Sequence, residues 1–522
     1  MTASADFSTN PETPPAKTEA LTDLFRQLRN LSRDVLYYGI GGTFGQLIGF
    51  ITVPILTRVF TVNEYGAIDL IINLDALVFL TASLNIGYGE LRLYYDLPPE
   101  DRDTQNVLIS TITLVYATVI ALFPILVSIF SPQISTVLFG SVERTEAVRI
   151  GLIAQTVQLL WAQFVLVQRI FRRPKQYVFL NLGNTVVNFI ALIILVVAFR
   201  TGLPGYFWAQ VVGWGMMAAW GFYLTRADLK PKFSWKLLSA AAVLGVPAFP
   251  SMVFNWITTA SNRFFLNLFS GVEQVGYFIL VHKVTLPLLL IFMAFSLAWE
   301  PYLLTILRRP NVSEICRSVL KYYTLLILAL GGCLIFFARE VFFIFAPANY
   351  QAGVPAVGIY VLRHLFLGMM GVTNAGIGVA KKPVYVSVIY GSGALVVIAM
   401  NLVLTRHLGL FGAALAEMLG FMTCFAVSYY FSVRFFPIKW DLKGPFLAIC
   451  VFIVAALASV AIFKAGLPTW QSLLVNSALC GLYLVILSRF IEPDHRYFIF
   501  QKAPRIFIDQ VRSRLGKPPR AS

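Results

Sequence analysis

From Val35 onward the chain is a succession of long apolar runs separated by short polar breaks. A helix needs about 20 apolar residues to cross the roughly 30 Å hydrocarbon layer. Fourteen runs meet that length or come close: Val35–Val59, Ala67–Ile86, Val107–Phe130, Val148–Val167, Val178–Phe199, Gly205–Leu224, Leu237–Thr258, Val275–Trp299, Val319–Phe337, Pro355–Val379, Val384–Thr405, Leu408–Val433, Phe446–Phe463 and Leu473–Leu487. The pattern predicts an all-α polytopic membrane protein of about 14 transmembrane helices. Before the first run, Met1–Asn30 is polar and carries three prolines, which predicts a disordered tail. It has no short apolar core with a cleavage site of the signal-peptide kind.

The runs repeat. GLPGYFWAQVVGWGMMAAWGFY (Gly202–Tyr223) returns 207 positions later as GLFGAALAEMLGFMTCFAVSYY (Gly409–Tyr430), with Gln210 answered by Glu417. Arg58 matches Arg263, Arg173-Pro174 matches Lys382-Pro383 and Glu90 matches Glu300, all at offsets of 205–210. Self-similarity at one long period marks a duplicated architecture. Spans 1–6 therefore correspond to spans 7–12. Because six is even, the copies share one orientation and are related by an axis along the membrane normal. The predicted organisation is a cytoplasmic tail (1–33), an N-lobe (34–225), a linker (226–236), a C-lobe (237–434), two extra helices (435–490) and a basic tail (491–522). Past Pro504, Phe507, Val511 and Leu515 fall four apart. That spacing suits a short helix on an anionic leaflet, and equally a solvated basic tail.

Composition agrees with the pattern: 58% of residues are hydrophobic and 13% charged. Soluble domains run near 45–50% apolar and about 25% charged. A net charge of +16 would suggest nucleic acid in a soluble chain, but here its placement matters more. Of 41 Lys and Arg, 31 fall on the side holding both termini, 8 on the other side and 2 inside spans. That bias places both termini in the cytoplasm. Five scattered cysteines form neither a metal pattern nor a disulfide framework. The glycines of Gly39–Gly42 and Gly376–Gly378 lie in apolar helices, where close helix packing explains them. Neither a nucleophile–base spacing nor a cofactor motif is present, and the outer loops are short, the longest being Ser131–Ala147 and Arg339–Val354, so a membrane polymerase or ligase is the weaker reading.

Ionisable groups inside spans carry the functional signal, since each costs roughly 2.5–3.5 kcal/mol at bilayer centre. They are Asp69 and Asp75 in span 2, Lys283 in span 8, Arg363 in span 10 and Glu417 in span 12. Counted at about 1.5 Å per residue, Asp75, Lys283, Arg363 and Glu417 share a depth near the membrane middle. Asp75 and Lys283 hold nearly equivalent places, which predicts a pair across the cleft between the lobes. Asp69 falls close to the end of its run and is expected at the interface. Arg58 and Arg263 end spans 1 and 7, as snorkelling anchors or as the mouth of the cleft. His282 and His364 stand beside Lys283 and Arg363 and read as satisfied core residues. Arg363 and Lys283, with Arg58 and Arg263, are the candidates for binding an anionic substrate. Asp75, Glu417 and Asp69 are the candidates for ion coupling or charge pairing.

Four stretches resemble a known family. PILTRVFTVNEYG (Pro54–Gly66), NRFFLNLFSGVEQVGYF (Asn262–Phe278), FSLAWEPYL (Phe295–Leu303) and GIGVAKKPVYVSV (Gly376–Val388) are similar, in order and spacing, to Wzx-like polysaccharide flippases. These belong to the multidrug/oligosaccharidyl-lipid/polysaccharide (MOP) exporter superfamily. The resemblance implies a MATE-like fold and alternating access. It also implies transport of a polyprenyl-diphosphate-linked oligosaccharide for surface polysaccharide synthesis, with a polymerase and assembly proteins as partners. In this chain Asn262 precedes the span-7 arginine, where the family commonly has Asp, so one ion-coupling carboxylate is missing. Within the same superfamily, the competing expectation is a cation/drug antiporter with an acidic, aromatic-lined cavity.

Overall fold

The structure is a computed structural model. It describes residues 45, 48–306, 311–374, 377, 384–435 and 438–493. The predicted N-terminal tail, the first part of span 1, most of the Gly376–Val388 motif and the basic tail with Phe507, Val511 and Leu515 lie outside those residues.

Among the described residues every regular element is a helix. The first six spans contain α1 (Ile48–Val59), α2 (Val62–Ser83), α3 (Ile86–Asp96), α4 (Arg102–Phe139), α5 (Thr145–Ile170), α6 (Pro174–Leu192) and α7 (Gly202–Thr225). The second six contain α8 (Trp235–Gly245), α9 (Phe249–Ser270), α10 (Val272–Val284), α11 (Leu286–Ile306), α12 (Val312–Phe336), α13 (Ala338–Phe345), α14 (Val357–Thr373), α15 (Val384–Met400) and α16 (Leu410–Phe435). Two further helices follow, α17 (Lys443–Lys464) and α18 (Thr469–Ser488). Eleven stretches among the described residues are long and apolar enough to span a membrane, or twelve if the bent pair α10–α11 is one span. This is a multi-pass membrane protein. The expected sixth span is α7, whose 24 residues suffice in length.

Spans 2, 7 and 8 are broken rather than straight. Between α2 and α3, Leu84 and Asn85 both take left-handed backbone, at φ 45° and 57°. That region costs a non-glycine residue roughly 1–2 kcal/mol. The Asn85 amide donates to the Gly245 carbonyl at 3.1 Å, and a Cβ on Gly245 would meet the Asn85 carbonyl, so the break of one lobe is held by the other. Between α8 and α9, Pro247 sits in a 3₁₀ turn, Val246–Ala248, with Pro250 just after it. Span 8, expected as one helix, bends by 46° between α10 and α11. Pro287 is the cause: lacking an N–H, it cannot bond back to the carbonyl of Lys283.

The repeat is visible in backbone detail. A π-helical turn at Ile193–Ala198 is matched by another at Asn401–Thr405. Each is followed by a glycine at positive φ, Gly202 at 65° and Gly409 at 52°. Downstream, Gly213 packs against α6 at Asn184 and Asn188, and Gly420 packs against α15 at Gly393 and Val397.

Two boundaries differ from expectation, and both move a charge. Hydropathy starts span 2 at Ala67, but Thr61 and Glu64 form a reciprocal capping box that starts α2 at Val62. Asp69 therefore lies two turns inside the helix and is buried, not at the interface. Span 7, expected to end at Thr258, continues in α9 to Ser270. Arg263 is therefore mid-helix and 4% exposed rather than a terminal anchor. The segments expected as outer loops are largely helical. The end of α4 covers residues 131–139, while α13 and a 3₁₀ turn (Ala348–Ala356) fill most of 339–354.

Loops segregate by end of the molecule, as an even–odd span count requires. At one end Thr57 donates to the Phe345 carbonyl, Arg144 contacts Asn63, and Asn267 donates to the Leu138 carbonyl at 2.6 Å. At the other end the start of α4, the α5–α6 corner and the residue 226–234 linker meet. Ala348–Thr373 is the most enclosed span, with 83% of its apolar window buried, against 17% for α17. The centre of the fold is therefore α14, while α17 and α18 lie outside and clasp α12. Tyr483 donates to the Leu328 carbonyl at 2.8 Å, and Ser459 donates to that of Ile335 at 2.7 Å.

Candidate functional site

Two clusters of buried polar groups meet on neighbouring residues of α9. In the first, the carboxylate of Glu417 accepts from Arg363 Nε at 2.9 Å, from Tyr360 Oη at 2.7 Å and from Asn262 Nδ2 at 2.9 Å. Asn401 donates to Asn262 Oδ1 at 2.6 Å, and Thr405 donates to Asn401 Oδ1 at 2.8 Å. The network thus reaches the π turn. The Arg363 guanidinium also lies 4.4 Å over the Phe421 ring and 3.1 Å from His364 Nδ1. His364 Nε2 in turn sits 3.2 Å from the Thr285 hydroxyl, at the α10–α11 bend. Glu417 is fully buried and Arg363 nearly so. A buried pair survives only when hydrogen bonds replace lost solvation, and here both partners are multiply bonded.

The second cluster joins the lobes. Arg263 Nε donates to Asp69 Oδ2 at 3.0 Å, between side chains 5% and 8% exposed. Asp69 Oδ1 accepts from Asn73 at 3.1 Å, and Arg263 also bonds the Thr259 carbonyl and faces the Phe278 ring at 5.2 Å. Trp256 Nε1 donates to the Asn73 carbonyl at 3.1 Å, a second tie between α9 and α2. Beside this pair lies a cavity of about 310 Å³. Asp69, Lys283, Tyr65, Tyr206, Gln210 and Trp214 are among the residues that line it. Asp69 contributes one negative charge and Arg263 and Lys283 two positive ones. The Lys283 ammonium has no hydrogen bond or ion pair among the described residues.

The other candidates go elsewhere. Asp75 is fully buried against Gly151, and neither carboxylate oxygen has a hydrogen-bond partner among the described residues. The pair expected between Asp75 and Lys283 is not formed in this conformation. Arg263–Asp69 joins the lobes instead, because both residues lie deeper than hydropathy indicated. Arg58 is exposed and bonds the carbonyls of Pro54 at 2.8 Å and Ile344 at 3.3 Å, which is the anchor role. His364 is a satisfied core residue, while His282 is half-buried with its ring edge toward Tyr360. Sequence reasoning missed Tyr360, Asn401, Thr405 and Thr285 as members of the network. The only available signal was the spacing of Asn401 and Thr405, four apart on one helix face. Among the described residues no group of three or more His, Cys, Asp and Glu is placed to hold a metal ion.

No family model matches the chain, and no curated protein matches it. Solved structures do match. One, described as lipid II flippase MurJ in an inward closed conformation, is 17% identical with a TM-score of 0.66, covering 87% of this chain and 98% of that one. An inward-facing multidrug resistance MATE family transporter of the MOP superfamily is 13% identical at TM-score 0.57, covering 76% of this chain and 99% of that one. An outward-facing structure of the same kind is 13% identical at TM-score 0.56, covering 78% and 96%. The fold is that of the MurJ and MATE structures. At these identities the likeness extends to the fold alone.

Proposed function

We propose that this chain is a flippase-type transporter carrying a polyprenyl-diphosphate-linked oligosaccharide across the bacterial plasma membrane by alternating access. The observation that carries the reading is the Lys283 ammonium, without an ion-pair partner among the described residues, which the C-lobe extends beside Asp69 into a cavity of about 310 Å³ lined mainly by N-lobe helices. A diphosphate cannot enter hydrocarbon uncompensated, and fixed cations inside the membrane supply the countercharge. The fold supports two arrangements of the lobes, since its neighbours include inward- and outward-facing forms. With a negative cytoplasm, outward movement of an anion gains about 2.3 kcal/mol per charge per 100 mV.

Adjacent residues of α9 link the cavity to the C-lobe network: Arg263 reaches Asp69 on α2, while Asn262 reaches Glu417 on α16. In this proposal an incoming diphosphate competes with Asp69 for Arg263, and loss of that bridge frees the lobes. Glu417 already neutralises Arg363, so we assign Arg363 to holding the C-lobe together rather than to the substrate. Asp75, whose carboxylate has no hydrogen-bond or ion-pair partner among the described residues, is the group we assign to proton coupling during the return of the empty carrier.

The test is transport in proteoliposomes. Lys283→Gln is expected to lower diphosphate-lipid translocation at least tenfold, and Asp75→Asn to abolish only its dependence on a pH gradient. Unchanged transport in Lys283→Gln would end the reading. The antiporter alternative draws on the aromatic lining of Tyr65, Tyr206 and Trp214 around Asp69. It predicts efflux of cationic drugs that Asp69→Asn abolishes.

A further inference from the structure

A second basic hollow, away from the central cavity, lies where the α3–α4 connection, the α5–α6 corner and the start of the linker meet. It measures about 780 Å³, and its lining includes Arg102, Arg172, Arg173, Tyr94, Tyr95 and Asp228. Its walls are fixed. Tyr95 donates to the Ile170 carbonyl at 2.9 Å, Gln168 to Thr225 at 3.0 Å, and the linker N–H of Lys230 to Ser110 at 2.7 Å. Arg173 is committed to Asp228 at 3.3 Å and lies over the Phe171 ring at 4.7 Å.

Arg102 and Arg172 are different. Each is exposed, and neither has a carboxylate within ion-pair distance among the described residues. Arg102 is steadied by the Tyr94 hydroxyl at 3.3 Å and Arg172 by the Tyr95 ring at 5.7 Å. Arg172 is held at φ 53°, where its N–H bonds the Arg169 carbonyl at 3.1 Å. Most nearby acids are engaged; Glu100, exposed in the α3–α4 connection, makes no side-chain bond among the described residues. Asp96 faces Arg92, Asp101 caps α4 through the Thr104 N–H, and Asp103 lies between Lys230 and Lys232.

We propose that this hollow binds an organic phosphate, with Arg102 and Arg172 donating to the phosphate oxygens. Guanidinium groups fork onto tetrahedral oxyanions, and two uncommitted ones exceed the need of a single carboxylate. A pocket of this volume is of ligand size, far larger than one phosphate, so the ligand carries a polar body such as a sugar or glycerol. Such a phosphate has two sources, a lipid headgroup of the adjoining leaflet or a soluble sugar phosphate. The proposal does not rest on the transport reading.

The test uses full-length protein. One arm measures glucose 1-phosphate binding by calorimetry, with glucose as control. The other measures by native mass spectrometry how much phosphatidylglycerol the protein retains from nanodiscs, with phosphatidylcholine as control. The double variant R102Q/R172Q is compared with wild type and with R226Q, a basic residue at the end of α7 that does not line the hollow. The proposal expects the double variant to weaken one arm at least tenfold while R226Q and the melting temperature stay unchanged. A response confined to the lipid arm identifies the leaflet as the source, and one confined to the calorimetric arm identifies a soluble ligand. No binding by wild type in either arm, equal binding by the double variant, or glucose binding as tightly as its phosphate would overturn it.

Discussion

Arg363 shows how much one buried charge depends on its surroundings. Its guanidinium, a permanent cation, meets the Glu417 carboxylate at 2.9 Å. Glu417→Gln would leave that cation unpaired and strand Tyr360 and Asn262, at a cost of about 3–5 kcal/mol. We expect a lower melting temperature in detergent. We also expect Arg363→Gln combined with Glu417→Gln to be less damaging than the two single changes added together, with a coupling of about 0.5–3 kcal/mol. Additive losses in a double-mutant cycle would show that the pair does not act as a unit. The Asp69–Arg263 pair is expected to behave differently, because its partners lie on different lobes. Breaking it should change the balance of conformations more than the stability of either lobe.

At the scale of elements, the lobes meet through glycines. A Cβ on Gly66 would fall 2.2 Å from the Val272 carbonyl, and one on Gly276 would fall 2.1 Å from the Val62 carbonyl. Helices α2 and α10 therefore touch backbone to backbone, a contact that any side chain forbids. Gly276→Val is expected to hold these helices apart. In a background without native cysteines, a maleimide should label Lys283→Cys at least tenfold faster when Gly276→Val is present. Equal labelling rates would mean that the α2–α10 contact does not gate the cavity. The breaks in spans 2, 7 and 8 belong to the same device, since each lies beside a residue tied to the other lobe or to the C-lobe network. Asn85 bonds Gly245, and Thr285 bonds His364.

For the whole molecule, α17 and α18 lie outside the duplicated pair and are fastened to α12. Cys480 and Cys333 face each other there, with sulfurs 3.8 Å apart. Mild oxidation should link these two cysteines and leave transport unchanged, because the added helices travel with one lobe. Mass spectrometry of the digest reports the bond, and failure to form it would show that α18 is not seated on α12. The duplication, the span pattern and the presence of mid-membrane charges were all legible in the chain. Hydrophobic runs set spans regardless of what surrounds them, and the offset between Gly202 and Gly409 is a property of the sequence alone. Partner choice was not legible. Hydropathy places a span end where apolar residues stop, whereas the Thr61–Glu64 capping box and the continuation of α9 set where the helices end. Those few residues carry Asp69 and Arg263 from the surface into contact. Sequence alone thus determined that charges lie inside the spans, Asp75, Arg363 and Glu417 among them. Only the tertiary structure decided which of them neutralise each other, because pairing across 194 positions depends on the angle and depth at which two helices cross.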